Sequence, residues 1–152
     1  MPHALADEKF LLQAIELSKQ CPPSSRAFAV GALVVDSTGQ ILATGYSRES
    51  GESLHAEELA LEKLSSAHIP DLSNATLYSS LEPCGERLSG KKTCVELIIT
   101  AGIKRVVYAE DEPNYFVNPS GQEKLISAGI AVIKIPELAQ RVREINKNLF
   151  SV

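Results

Sequence analysis

The 152-residue sequence contains no tryptophan, a single methionine, and only four phenylalanines and four tyrosines. So few aromatic rings offer little for stacking along single-stranded nucleic acid. Neither sign of charge dominates. Fifteen Lys and Arg against nineteen Asp and Glu leave a net charge of −4, which gives no general reason to expect polyanion binding. A local basic patch could still hold a phosphate. No apolar run approaches the ~20 residues of a membrane span. The opening MPHALADEKF lacks the basic start and apolar stretch of a secretory leader, and Asp7 and Glu8 arrive early. The expectation is a cytoplasmic protein with neither a nucleic-acid nor a membrane partner. Cysteine is scarce as well, with three in the chain. In a reducing compartment, paired thiols point toward metal binding or catalysis more than toward a disulfide.

What is present is ordinary for a globular protein: 44% hydrophobic and 22% charged residues, with no internal repeat. The length fits one domain over 1–152. Turn signals divide it into alternating pieces. Asp7 to Lys19 has helical apolar spacing and ends at Pro22 and Pro23. Ala27 to Asp36 reads as a buried strand and Ile41 to Ser47 as its hairpin partner across the turn DSTGQ. A helix from about Leu54 to Ala67 follows, with Ser53 as its cap and Leu54, Leu61 and Leu64 on its inner face. Then come a strand over Ala75 to Leu81, a helix from Thr93 or Cys94 to Ala101–Gly102, and a strand over Lys104 to Glu110. A helix over Ser120 to Ala128, a strand over IAVIKI and a terminal helix from Pro136 to Asn148 complete the order. Helices between the last three strands impose crossovers, so those strands should be parallel. The expected fold is an α/β three-layer α-β-α sandwich around a mixed five-stranded sheet.

Two short stretches carry chemistry. LHAEEL places His55 at a helix start and Glu57 two residues later. Taken alone this spacing is weak, since acidic residues commonly favour a helix N-terminus. PCGERLSGKKTC places Cys84 after a strand and Cys94 at the next helix start, where a thiol pKa is lowered. One imidazole and two thiolates suit Zn2+, and three protein ligands leave a fourth position open for water, the pattern of a catalytic site. Glu57 would stand beside that water and shuttle its proton. Cys21, on a helix face beside prolines, reads as an inert thiol. His3 reads as a terminal residue and His68 as a capping or exposed one.

H-A-E, E-P-C and a later cysteine together match the signature of zinc nucleobase deaminases. The signature spaces its cysteines as C-x-x-C, whereas nine residues separate Cys84 from Cys94. The added loop is expected to enlarge one wall of the pocket. With these residues the chain resembles the cytidine deaminase-like superfamily and, more narrowly, the pyrimidine deaminases of riboflavin synthesis. DEKFLLQAIELSKQCPP, AFAVGALVVDSTGQILATGYSRE, LHAEELAL, SLEPCGERLSGKKTCVELIITAGIKRVVYAEDEP and FVNPSGQEKLISAGIAV carry the resemblance. The bacterial bifunctional enzymes carry P-N-P-x-V-G and P-C-S-H-x-G where this chain has Arg26-Ala27-Phe28-Ala29-Val30-Gly31 and Pro83-Cys84-Gly85-Glu86-Arg87. The R-L-S-G loop and Y-S-R-E turn are more similar to the fungal-type branch, and with 152 residues no reductase domain is expected.

The resemblance implies hydrolytic loss of an exocyclic amine from a pyrimidine, expected to be the ribitylamino-pyrimidinone phosphate of riboflavin synthesis. Alternatives are another nucleobase, nucleoside, dCMP-like nucleotide or specialised metabolite. It implies His55, Cys84 and Cys94 as zinc ligands and Glu57 as the acid–base residue. The backbone near Ala56 and Ser80–Leu81 would face the ring. Ser47, Arg48 and Glu82, with Glu49 nearby, are further substrate candidates. Arg87, Lys91 and Lys92 would meet a phosphate or ribityl chain, against the plain alternative of a solvated basic loop. A homodimer is also implied.

Overall fold

A computed structural model describes residues 5–51, 53–66, 71–88, 90–113 and 119–150. His3, His68 and the FVN stretch at 116–118 lie outside the described residues. The elements are α1 (Leu5–Ser18), β1 (Gly31–Val35), β2 (Ile41–Tyr46), α2 (Ala56–Ser66), β3 (Thr76–Leu81), α3 (Cys94–Ala101), β4 (Arg105–Glu110), α4 (Gly121–Ser127), β5 (Ala131–Lys134), α5 (Ala139–Ile145) and α6 (Lys147–Phe150). A 3-10 turn over Pro136–Leu138 precedes α5.

The strands form one sheet in the order β2-β1-β3-β4-β5. β1 runs antiparallel to both β2 and β3, while β3, β4 and β5 are mutually parallel. That is the mixed sheet expected from helical crossovers. Successive strand residues point to opposite faces, so each central strand feeds two cores. Leu33, Val35, Tyr78 and Val107 join Phe10, Leu11 and Ile15 of α1 and Val142 of α5. Val34, Leu77 and Val106 join Ala60 and Leu64 of α2, Ile98 of α3 and Leu125 of α4. Helices therefore cover both faces, and the parallel strands are buried on each side, as parallel sheets require. Among the described residues no helix is long and apolar enough to cross a membrane.

Three boundary differences bear on the site, and in the first two a side chain takes over a main-chain group. β1 begins at Gly31 rather than Ala27. The amide and carbonyl of Ala29 bond the Asn146 side chain, and the Val30 amide bonds Ser47 Oγ. The same Asn146 interrupts the expected terminal helix, with its side chain also donating to Val142 O. The helix after the 47–53 loop starts at Ala56, and Ser53 is not its cap. The His55 carbonyl accepts the amide of Leu59, which makes His55 the capping position.

Two glycines let helix starts approach the sheet closely. A Cβ on Gly45 of β2 would lie 2.3 Å from the carbonyl oxygen of Ala56, so the first turn of α2 rests directly on the strand. A Cβ on Gly121 would lie 1.8 Å from Pro83 O, so α4 begins against the Pro83–Cys84–Gly85 turn.

Candidate metal centre and substrate cavity

Three chain segments converge at the ends of β3 and of the loops leading into α2 and α3. His55 precedes α2, Cys84 follows β3, and Cys94 opens α3. Thr93 caps α3 with a reciprocal capping box: its hydroxyl accepts the Glu96 amide, and the Glu96 carboxylate accepts the Thr93 amide. A cap of this kind is worth about 1 kcal/mol, and here it sets the point at which Cys94 turns inward.

The cysteines are joined before any ion is considered. The Cys94 amide donates to Cys84 Sγ at 3.2 Å, and the Val95 amide donates to Cys84 O at 3.2 Å. His55 Nδ1 lies 3.6 Å from Cys84 Sγ and 3.4 Å from Cys94 Sγ. All three donor atoms fall within 4.8 Å of one another. Tetrahedral ligands with Zn–N of about 2.1 Å and Zn–S of about 2.3 Å would lie about 3.6 Å apart. The nitrogen–sulfur spacings match that value, so the donor set fits such an ion in both chemistry and geometry.

Charge in this cluster is unevenly held. The Cys94 thiol and then the nearby His55 hold the Cys84 thiol down at about 4. The bond to Cys84 and complete burial push Cys94 well above the ordinary thiol range. A divalent cation held by the three donors would favour both thiolates. Glu57, in the first turn of α2, is 4% exposed. Burial first, and then the Cys84 charge, push its carboxyl up to about 7. A cation at the three ligands would draw it back down.

A cavity of about 220 Å³ opens onto this cluster. His55, Glu57 and Cys84 line it, with Phe28, Val30 and Leu81 as apolar wall. Cys94 is fully buried behind them. Ser47, Arg48, Glu82 and Arg87 are also on the wall; Ala56, Lys91 and Lys92 are not.

The roles expected of several wall residues change once their partners are known. Glu82 is not a free substrate acceptor. Its two carboxylate oxygens accept the amides of Glu112 at 2.9 Å and Gln122 at 2.8 Å, so it ties the loop after β4 and the start of α4 to the end of β3. Ser47 Oγ accepts the Val30 amide. The Arg48 guanidinium donates to Phe28 O at 3.3 Å and Pro22 O at 2.7 Å, while its Nε is buried without a partner. Glu49 pairs with Lys63. Ser80 Oγ accepts the Gly31 amide. Ala56 is buried as the first residue of α2.

Arg87 lines the cavity and is the most heavily bonded of these residues. Its side chain is 4% exposed, and its guanidinium donates to Lys92 O at 3.0 Å, to Glu58 Oε1 at 2.8 Å and to Ser53 O. Those donors bind the chain itself. Lys91 Nζ bonds Ser53 Oγ at 2.8 Å, a second tie between the same two segments. Cys21 stands apart, bonding Val30 O, with burial raising its thiol pKa.

Two wall residues were not singled out from the sequence. Arg26 is exposed, and among the described residues its guanidinium makes no hydrogen bond or ion pair. Glu112 has a buried Oε1 without a partner, and burial followed by the nearby Cys84 charge push its carboxyl up to about 8. An arginine and a glutamate in loops carry no spacing signal, so only the fold could reveal them.

The sequence profile of the cytidine and deoxycytidylate deaminase zinc-binding region matches residues 5–110. The chain is 43% identical over 128 residues to the diaminohydroxyphosphoribosylamino-pyrimidine deaminase of Schizosaccharomyces pombe, covering 84% of this chain and 31% of that one. It is 33% identical over 145 residues to the riboflavin biosynthesis protein RibD of Aquifex aeolicus, covering 95% of this chain and 39% of that protein. The chain thus spans about a third of the length of these curated relatives. Among solved structures, the Aspergillus oryzae Rib2 deaminase in complex with DARIPP superposes with a TM-score of 0.82 at 27% identity, covering 92% of this chain and 89% of that one. The fold, the His/Cys/Cys cluster and these likenesses agree: the chain belongs to the zinc-binding cytidine and deoxycytidylate deaminase family and is homologous to the pyrimidine deaminases of riboflavin biosynthesis.

Proposed function

We propose that this chain is a zinc-dependent hydrolase that removes an exocyclic amine from a phosphorylated ribityl- or ribosylamino-pyrimidine of riboflavin synthesis. The observation that carries the reading is the meeting of His55, Cys84 and Cys94 at tetrahedral spacing beside buried Glu57, on one cavity. His55 Nδ1, Cys84 Sγ and Cys94 Sγ would hold zinc. Bound there, zinc supplies Lewis acidity that lowers the pKa of a water to about 7.

The chain's own residues would do the rest. Glu57 takes the proton of the attacking water, passes it to the ring nitrogen, and delivers a proton to the leaving amine. A C–O bond forms, the C–N bond breaks and ammonia departs. Phe28, Val30 and Leu81 give the ring an apolar slot that limits competing water. The unpartnered Glu112 Oε1 accepts from a ring amino group. Arg26, exposed and lining the cavity, is a cation available to a phosphate, whereas the Arg87 guanidinium is already bonded to three acceptors of the chain.

The A. oryzae complex with DARIPP and the S. pombe deaminase support this substrate class. The test is ammonia release by zinc-loaded protein offered the ribosylamino- and ribitylamino-pyrimidine phosphates, their dephosphorylated forms, cytidine and dCMP. Turnover is expected on a phosphorylated aminopyrimidine. Turnover confined to cytidine or dCMP would contradict the reading.

A further inference from the structure

Arg87 sits in the nine-residue loop between the two cysteines, and Glu58 is the third residue of α2. Glu58 Oε1 accepts the main-chain amide of His55 at 3.1 Å. It therefore caps the helix whose capping residue is itself one of the three metal-donor residues. The same carboxylate oxygen accepts Arg87 Nη2 at 2.8 Å. Arg87 also donates to the carbonyl of Ser53, two residues before His55, and to the carbonyl of Lys92, two residues before Cys94.

One buried guanidinium thus spans the two halves of the cluster. The Cys84–Cys94 half is already locked by its own amide bonds. The His55 half arrives on a different segment, and among the described residues the Arg87–Glu58 pair is the ionic tie between them. Glu58 lies on an α-helix start, where its charge is also favoured by the helix dipole. Arg87 and the helix side hold its carboxyl below the ordinary carboxylate range against a partial burial cost.

We propose that Arg87 and Glu58 form a clasp that sets the His55 imidazole against the cysteine pair before metal binds, making them positioning residues for the metal centre. The clasp rests on the zinc reading above. It assigns the loop's arginine to assembly of the site rather than to substrate. Outer groups that orient metal ligands typically change affinity by about 10- to 100-fold when removed. A planar fork that reaches three acceptors is not replaced by a lysine ammonium.

The test is zinc affinity by competition with a chromophoric chelator for the wild type, R87A, R87K, E58Q and R87A/E58Q, with thermal midpoints of the metal-free proteins alongside. The expected result is that R87A and E58Q each weaken zinc binding by about 10-fold or more. R87K should fall between R87A and wild type, and the double variant should be no worse than R87A, because both changes open one clasp. Hydrogen exchange of the His55 amide in the metal-free protein should speed up in R87A and in E58Q. Zinc affinity of the folded variants within twofold of wild type would overturn the clasp. So would losses that simply add in the double variant. If R87A does not fold, R87K and E58Q decide the matter. A wild type that binds no zinc would instead overturn the metal reading itself, a separate result.

Discussion

The wall of the cavity carried by residues 82–88 and the wall carried by residues 26–28 are built in opposite ways. In the first, Glu82 is bonded to two amides, Cys84 to the Cys94 amide and Arg87 to three acceptors. In the second, Arg26 reaches the cavity with an uncommitted guanidinium beside buried Phe28. Preorganised groups cost nothing to arrange when a ligand arrives, which suits a metal and a reaction centre. Uncommitted charge suits the part of a substrate that distinguishes one pyrimidine from another. On the proposed function, chemistry belongs to the first wall and substrate choice to the second.

The largest effect should come from the metal donors that the first wall supports. Replacing Cys94 by Ser leaves a weaker zinc ligand in a fully buried position, so zinc content by elemental analysis should fall to near zero and ammonia release to background. Retention of about one zinc per chain would break the assignment. Next is the second wall. R26A should raise KM for a phosphorylated pyrimidine by about 10-fold, in line with loss of a charge-assisted bond of about 1.5–3 kcal/mol, while kcat stays near wild type. The dephosphorylated substrate should show no change. Equal losses on both substrates would mean that Arg26 does not read the phosphate.

A smaller effect separates Glu112 from the committed carboxylates. Its folded pKa, at about 8, stands above the ordinary 4.5. The folded state therefore holds a proton that the unfolded state releases, and stability is lost as pH rises from about 4.5 toward 8. E112Q removes that loss. Its thermal midpoint should match wild type below pH 4.5 and exceed it increasingly up to pH 8. A constant difference across pH would show that Glu112 does not titrate this way. The smallest effect is expected at Lys92, which does not line the cavity. K92A should leave KM within about twofold, since exposed charges contribute little.

Much of this was legible in the sequence. The order of helices and strands follows from turn residues and apolar periodicity, and crossover helices make β3, β4 and β5 parallel. His55, Cys84 and Cys94 stand out because rare residue types sit at predicted element ends and starts, and Glu57 because it follows His55 by two residues. What was hidden depends on contacts between distant segments. Asn146 bonds Ala29 across 117 positions and breaks a helix that is continuous by propensity. Arg87 looks like its neighbours Lys91 and Lys92 in a basic loop; burial against Glu58 and Ser53 separates it from them. Glu82 reads as part of a motif beside Cys84, but its carboxylate is consumed by the amides of Glu112 and Gln122. Local pattern identifies donors and acceptors, whereas the fold decides which remain available.

The central claim is that zinc held by His55, Cys84 and Cys94 works with Glu57 as the proton carrier. It is tested most directly by ammonia release from zinc-loaded E57Q on the phosphorylated aminopyrimidine that wild type turns over. The account predicts about one zinc per chain in the variant and a rate lowered by at least about 10²- to 10⁴-fold, the range for loss of a positioned acid–base group. Turnover by zinc-loaded E57Q within tenfold of wild type would contradict it.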